Sequence, residues 1–272
     1  MGNHSASSSV VDQMTDLSRR HLLYGSAAAL AALGLAGCVS TNSNGPVASA
    51  VPSQPKDAPK PIDPAIAAEN ATLGPLSKAR YEAIYGAVKT DRFPIPAVRL
   101  SIIKPPFRRQ VVEYATKEAP GTIIVDPQHH FLYHVLDNGR AMRYGVVVGR
   151  QGFAWAREAV IKSKQEWPDW YPPKEMVERQ PELKRELAQL QSGLGMAGGP
   201  RNPLGARAMY LWQGNKDTLY RIHGTVEPQS IGRSASSGCI RMIDQDVIDL
   251  YNQTPVGTRV VVLGSPGSAR VG

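Results

Sequence analysis

From Gly121 onward the apolar residues fall in short runs, each closed by a turn signal, which is the pattern of β-strands. Thr122 to Asp126 and Phe131 to Leu136 predict the first two strands. Asp137-Asn138-Gly139 then marks a hairpin turn, because Asn and Gly tolerate positive φ. Ala141 to Val148 returns as a third strand ending at Gly149, and later strands are predicted at Met209–Gln213, Thr218–His223 and Thr258–Leu263. Helical spacing is confined to three places. Leu76, Ala79, Ala83, Ile84 and Val88 mark one face of a helix over Leu76–Lys89, after which prolines 94, 96, 105 and 106 keep the chain irregular. Met176, Leu183, Leu187 and Leu190 form the stripe of a helix predicted from Pro173 to Gln191. Asp244 to Asn252 reads as a short helix with Asp244 as its N-cap, ended by Pro255 and Gly257. The pattern predicts a mainly β (α+β) domain over residues 121–264, interrupted by a helical, lid-like insertion at 152–203.

Before residue 76 there is little to fold. Arg19-Arg20 precede an apolar run from Leu22 to Ala36, shorter than the roughly 20 residues that span a bilayer. Residues 1–38 therefore read as a twin-arginine signal peptide. It ends in Leu35-Ala36-Gly37-Cys38, which resembles a bacterial lipobox. That resemblance implies that Cys38 is lipidated as the first mature residue. Val39 in place of Asp favours an outer-membrane anchor over an inner one. Residues 39–75 are rich in Pro, Ala and Ser and read as a tether spanning on the order of 35 Å as a coil. Residues 76–120 are expected to pack on the β domain, and 265–272 to form a flexible tail. The net charge of +8 owes nothing to the signal segment, where Asp12 and Asp16 cancel Arg19 and Arg20. A basic exported domain suits an anionic polymer or headgroup surface, and no nucleic-acid motif appears.

The chain has two cysteines, and Cys38 belongs to the lipobox. Cys239 stands in Ser236-Ser237-Gly238-Cys239-Ile240-Arg241-Met242, sixteen positions after His223 in Tyr220-Arg221-Ile222-His223-Gly224-Thr225. A free thiol near neutrality is only a few per cent thiolate, and an imidazole within reach removes that limit. The pair points to acyl transfer through a thioester. Gly238 permits close backbone approach, and amides around Gly238 and Cys239 suit a developing oxyanion. Arg241, two residues on, shares a strand face with Cys239. It either clamps a substrate carboxylate or pairs with an acid such as Asp244. Thr225 and Ser237 are placed to orient the pair, and a backbone carbonyl can hold the imidazole. His129, His130 and His134 read as exposed strand and turn residues, with no metal motif around them. Trp155, Trp167 and Trp170 read as core, with one or two lining a cleft. No cofactor is implied.

His223-Gly224-Thr225 with Ser236-Ser237-Gly238-Cys239-Ile240-Arg241-Met242 resembles the signature of the L,D-transpeptidases of the YkuD type, over roughly Gly121 to Leu263. Asn202-Pro203-Leu204-Gly205-Ala206-Arg207 belongs to the same resemblance. It implies a YkuD-like β-sandwich or barrel and a substrate in the stem peptides of peptidoglycan. Cys239 would attack the third stem residue, D-alanine would leave, and a neighbouring amine would resolve the thioester into a 3→3 cross-link. Ser237 stands where many members have a histidine, so His223 would be the base. The acceptor stays open between a stem amine, an amine of an outer-membrane protein, and water. A non-catalytic wall-binding lipoprotein is the rival reading, and a sortase-like enzyme fits the spacing less well.

Overall fold

The computed structural model describes residues 72–149, 158–235 and 238–264. Cys38, residues 39–71 of the tether, Trp155, Ser236, Ser237 and the tail lie outside the described residues.

Ser77 accepts a hydrogen bond from the Arg80 N–H and starts α1 (Lys78–Ile84). The helix stops short of the Lys89 predicted, at Tyr85 before Gly86. Next come β1 (Gln110–Glu113), β2 (Ile123–Asp126), β3 (Phe131–Leu136), β4 (Arg140–Gly145) and β5 (Val147–Gly149). Asn138 and Gly139, with φ of 60° and 68°, turn the β3–β4 hairpin. The single strand predicted after it is two, because β5 leaves the hairpin for other partners. Gly145 lies at the break, where a Cβ would run into the backbone of Phe107.

The predicted insertion over 152–203 includes a strand of the main sheet. β6 (Glu158–Glu166) belongs to the main sheet and is nine residues long. The excursion proper runs from Trp167 to Asn202. It holds α2 (Lys174–Arg179), a 3₁₀ segment (Pro181–Glu186), and the small hairpin β7 (Ala188–Leu190) and β8 (Gly193–Gly195). The continuous helix expected from 173 to 191 is broken by Pro181, which forces Gln180 out of the helical region, to φ −131° and ψ 73°. Asn202 is buried, and its side-chain N–H₂ faces the carbonyls of Pro168, Met196 and Ala197 at 3.0, 2.9 and 3.2 Å. That amide closes the base of the excursion.

The chain then lays down β9 (Arg207–Gln213), β10 (Lys216–His223), β11 (Ser234–Ala235), β12 (Ile240–Arg241), α3 (Asp244–Gln253) and β13 (Arg259–Val262). The main sheet has eleven strands in the order β1-β4-β3-β2-β13-β6-β9-β10-β12-β5-β11. The domain is therefore mainly β with few helices. Its core joins Val111, Leu132, Tyr144, Ile161, Leu211, Ile222 and Ile240 from the sheet to Val247 and Leu250 of α3. His134 shares the inward face of β3 with Leu132 and is 6% exposed. It is not the exposed strand residue expected, whereas His129 is exposed and His130 lies in the turn at φ 59°. Trp167 is buried against Ile95 and Ala206.

A buried charged cluster lies beneath α3. Arg109 is 2.7 Å from Asp249 and 3.8 Å from Asp246. Tyr144 donates to Asp249 at 2.6 Å and Tyr85 to Asp246 at 3.2 Å. Tyr85 also accepts from the Arg109 backbone N–H, so the segment carrying α1 is tied to α3 through this cluster.

Candidate active site

β10 and β12 run parallel, with Ile222 beside Ile240 and His223 beside Arg241. One step back in the same register, Arg221 is beside Cys239. Ile222 and Ile240 both enter the core. Alternation therefore turns Arg221, His223, Cys239 and Arg241 to the opposite face together. His223 and Cys239 are diagonal neighbours on that face.

His223 is 4% exposed. Its Nδ1 donates to the Gly224 carbonyl at 2.7 Å, which leaves Nε2 of the neutral ring as the acceptor. Burial, and secondarily the Arg241 charge, push its pKa down to about 4, against the opposing pull of the Gly224 and Leu204 carbonyls. Cys239 is a free, partly exposed cysteine. Burial pushes its thiol up, only partly offset by the Arg221 backbone N–H and by the charges of Arg221 and Arg241. Both shifts favour the uncharged forms. Each group is thereby drawn toward its neutral form, thiol and imidazole.

The two arginines differ. Arg221 grips Asp217 with both nitrogens, at 2.9 and 3.0 Å, and lies over the Tyr210 ring at 4.5 Å. Arg241 faces Glu227 at 3.9 Å, so its acidic neighbour is Glu227 and not the Asp244 suggested by spacing. Gly238 is required by a neighbour within the protein: a Cβ there would overlap the Tyr220 ring. Thr225 is buried, and its hydroxyl accepts from the Glu227 N–H at 3.1 Å, shaping its own loop. Asp244 is the first residue of α3, not its cap. Ile243 holds the cap position, and the Asp244 carboxylate accepts from the Ala206 N–H at 2.9 Å. An open cleft of about 500 Å³, lined by Pro94, Ile95, Trp167, Thr225, Ile243 and Asp244 among others, adjoins this loop.

Sequence reasoning passed over Arg221, Tyr220 and Asp244 as site residues. Strand alternation was a signal for the first, since it lies two residues before His223. Asp244 had no such signal, because its partner is thirty-eight residues away.

This face lies within a stretch, residues 120–262, that matches the family model "YkuD: L,D-transpeptidase catalytic domain". That is just over half of the chain, and the chain belongs to this family. It is similar to the probable L,D-transpeptidase ErfK/SrfK of Escherichia coli (strain K12), 31% identical over 150 residues, 54% of this chain and 44% of that protein. The putative L,D-transpeptidase YqjB of Bacillus subtilis (strain 168) is 46% identical over 66 residues, 24% of this chain and 38% of that protein. The chain thus spans less than half the length of these curated relatives. Among solved structures, that of a probable carnitine operon oxidoreductase caia from Brucella melitensis is 54% identical, covering 59% of this chain and 96% of that chain, with a TM-score of 0.40.

Proposed function

We propose that the protein is a cysteine-dependent L,D-transpeptidase acting on the stem peptides of peptidoglycan. The observation that carries the reading is the strand face shared by His223 and Cys239, opposite Ile222 and Ile240, with Nδ1 of the imidazole committed to the Gly224 carbonyl. The Cys239 sulfur forms a bond to the carbonyl carbon of the third stem residue while Nε2 of His223 takes the thiol proton. The carbon–nitrogen bond to D-alanine breaks, and Nε2 returns the proton to the leaving amine. An amine of a second stem then attacks the thioester, giving up its proton through Nε2 to the departing sulfur, and a 3→3 cross-link results. Backbone amides about Ser237, Gly238 and Cys239 receive the oxyanion. Arg241 holds a substrate carboxylate, and Gly224 and Thr225 fix the loop that carries the imidazole.

Twin-arginine export places the enzyme in the periplasm, with lipidated Cys38 as an outer-membrane anchor and the tether as its reach. The same thioester serves an outer-membrane protein amine or water as acceptor, and muropeptide analysis of a deletion strain separates them. Loss of 3→3 dimers marks cross-linking, and longer stems without that loss mark trimming. Incubation with a carbapenem, a β-lactam mimic of the stem, should add one covalent mass at Cys239. Cys239→Ala should abolish the adduct and product without changing the melting temperature by more than a few degrees. An intact, unmodified mass for the unaltered protein would favour a wall-binding module instead.

A further inference from the structure

The Asp244 carboxylate stands between two turns that approach it from different elements. Oδ1 accepts from the Ala206 N–H at 2.9 Å, and the Thr225 backbone N–H also bonds to the carboxylate. The fit is close on both sides: a Cβ built on Gly205 or on Gly224 would run into Oδ1. Gly205 has φ +65°, so its turn is one that glycine favours. Gly224 is also the residue whose carbonyl receives the His223 Nδ1–H. The carboxylate thus holds the peptide that holds the imidazole. It does so without capping its own helix, since Ile243 is the cap residue of α3 and makes no side-chain cap bond.

We propose that Asp244 is a positioning residue, whose ionised carboxylate ties the Gly205–Ala206 turn to the Gly224–Thr225 turn and so aims His223 at Cys239. This rests on the thioester reading of the site. Among the described residues, the charged groups around the carboxylate are few. Arg207 of β9 faces it but is bound to Asp91 at 2.6 Å, with Glu166 3.9 Å from the same guanidinium. Asp91 itself opposes ionisation of Asp244, and His223 lies beyond Gly224. Asp246, on the same helix, pairs instead with Arg109. Burial raises the Asp244 pKa to about 6, against the two amides and Arg207. Asp244 therefore titrates about two units above His223, near 4, and the two groups are separable in one pH profile.

A neutral carboxyl accepts an amide hydrogen less strongly than a carboxylate, and Asn resembles the neutral form. The test follows acylation of the full chain by a carbapenem, by intact mass, from about pH 4.5 to about pH 8.5, across the optimum for base catalysis. The rate for the unaltered protein should fall about fivefold to tenfold as pH drops through about 6, the difference between a charge-assisted and a neutral bond. Asp244→Asn should be flat through that window, at the acid-side level of the unaltered protein. Stability should move the other way. A folded-state pKa raised from the model-peptide value means that the folded chain binds more protons between about pH 4 and about pH 6, so stability falls as pH rises through that window. Asp244→Asn should therefore melt higher than the unaltered protein at neutral pH while acylating more slowly, a split that a merely structural residue does not produce. An Asn variant that acylates at the unaltered rate at neutral pH, or that keeps the inflection near 6, overturns the proposal. His223→Ala separates the two levels of the argument. If it acylates as fast as the unaltered protein, the base role fails and the positioning role with it. If it is slow while Asp244→Asn is indistinguishable from the unaltered protein, only the positioning role fails.

Discussion

His223 and Cys239 are shifted in opposite directions for one reason: both lie where charge is poorly solvated. An imidazole with a pKa near 4 stays unprotonated, and able to accept, across the neutral and mildly acidic range. The thiol gains its anionic character only as the proton leaves. His223→Ala forces the reaction onto the free thiolate, whose population rises about tenfold per pH unit below its pKa. The defect in acylation should therefore be severe at pH 6 and shrink by about that factor per unit toward pH 9. A defect of constant size across this range would argue against the base role, and stopped-flow acylation measures it. The histidine also has its own stability signature. Its folded pKa lies below 6.5, so the unfolded chain binds more protons between about 4 and 6.5, and stability is lost as pH falls through that window. Asp244 acts with the opposite sign over an overlapping range. At this scale the sequence was informative where chemistry is local. Two residue clusters sixteen positions apart named His223 and Cys239 together. Asp244 was read as a cap because its nearest backbone neighbours in sequence belong to α3, whereas Ala206 and Thr225 reach it only in the folded chain.

Between residue and molecule, elements were legible wherever a run had one period and one burial pattern. The β3–β4 hairpin follows from alternation and an Asn-Gly turn. The stretch after Gly152 was harder. β6 shows only brief burial, at Ala159 and Ile161, so its nine residues looked like part of an insertion. The helix expected over 173–191 had a convincing stripe, yet Pro181 removes a donor in its middle and ends α2 at Arg179. What holds the excursion in place is tertiary: the Asn202 side chain and the bridge between Trp170 and Met196. Asn202→Ala would leave buried carbonyls and the Leu204 N–H without that amide, at a cost of about 1–3 kcal/mol. The expected result is local. Hydrogen exchange at Trp170 and Met196 should quicken while the strands beneath stay protected. Uniform loss of protection through β9 and β10 would mean that the amide supports the whole sheet instead.

For the molecule as a whole, composition shows a basic chain of net charge +8 but gives no hint of its buried charges. Arg109, Asp246 and Asp249 are all buried, and no periodicity marks an arginine as interior. Removing one partner of such a group leaves the others buried and uncompensated. Arg109→Met should destabilise the protein by about 3–5 kcal/mol at neutral pH, read from urea unfolding, with the loss shrinking in acid as the aspartates take up protons. A loss below about 1 kcal/mol would show the cluster to be dispensable, as surface pairs often are. The strand order has a further consequence. β13, thirteenth in sequence, hydrogen-bonds to β2 on one side and β6 on the other. Until residue 262 has emerged from the ribosome, these two strands face each other across a missing plank. The sheet therefore closes only after its last strand has been made, and any nascent stretch ending sooner carries two unsatisfied edges exposed to whatever else can pair with them.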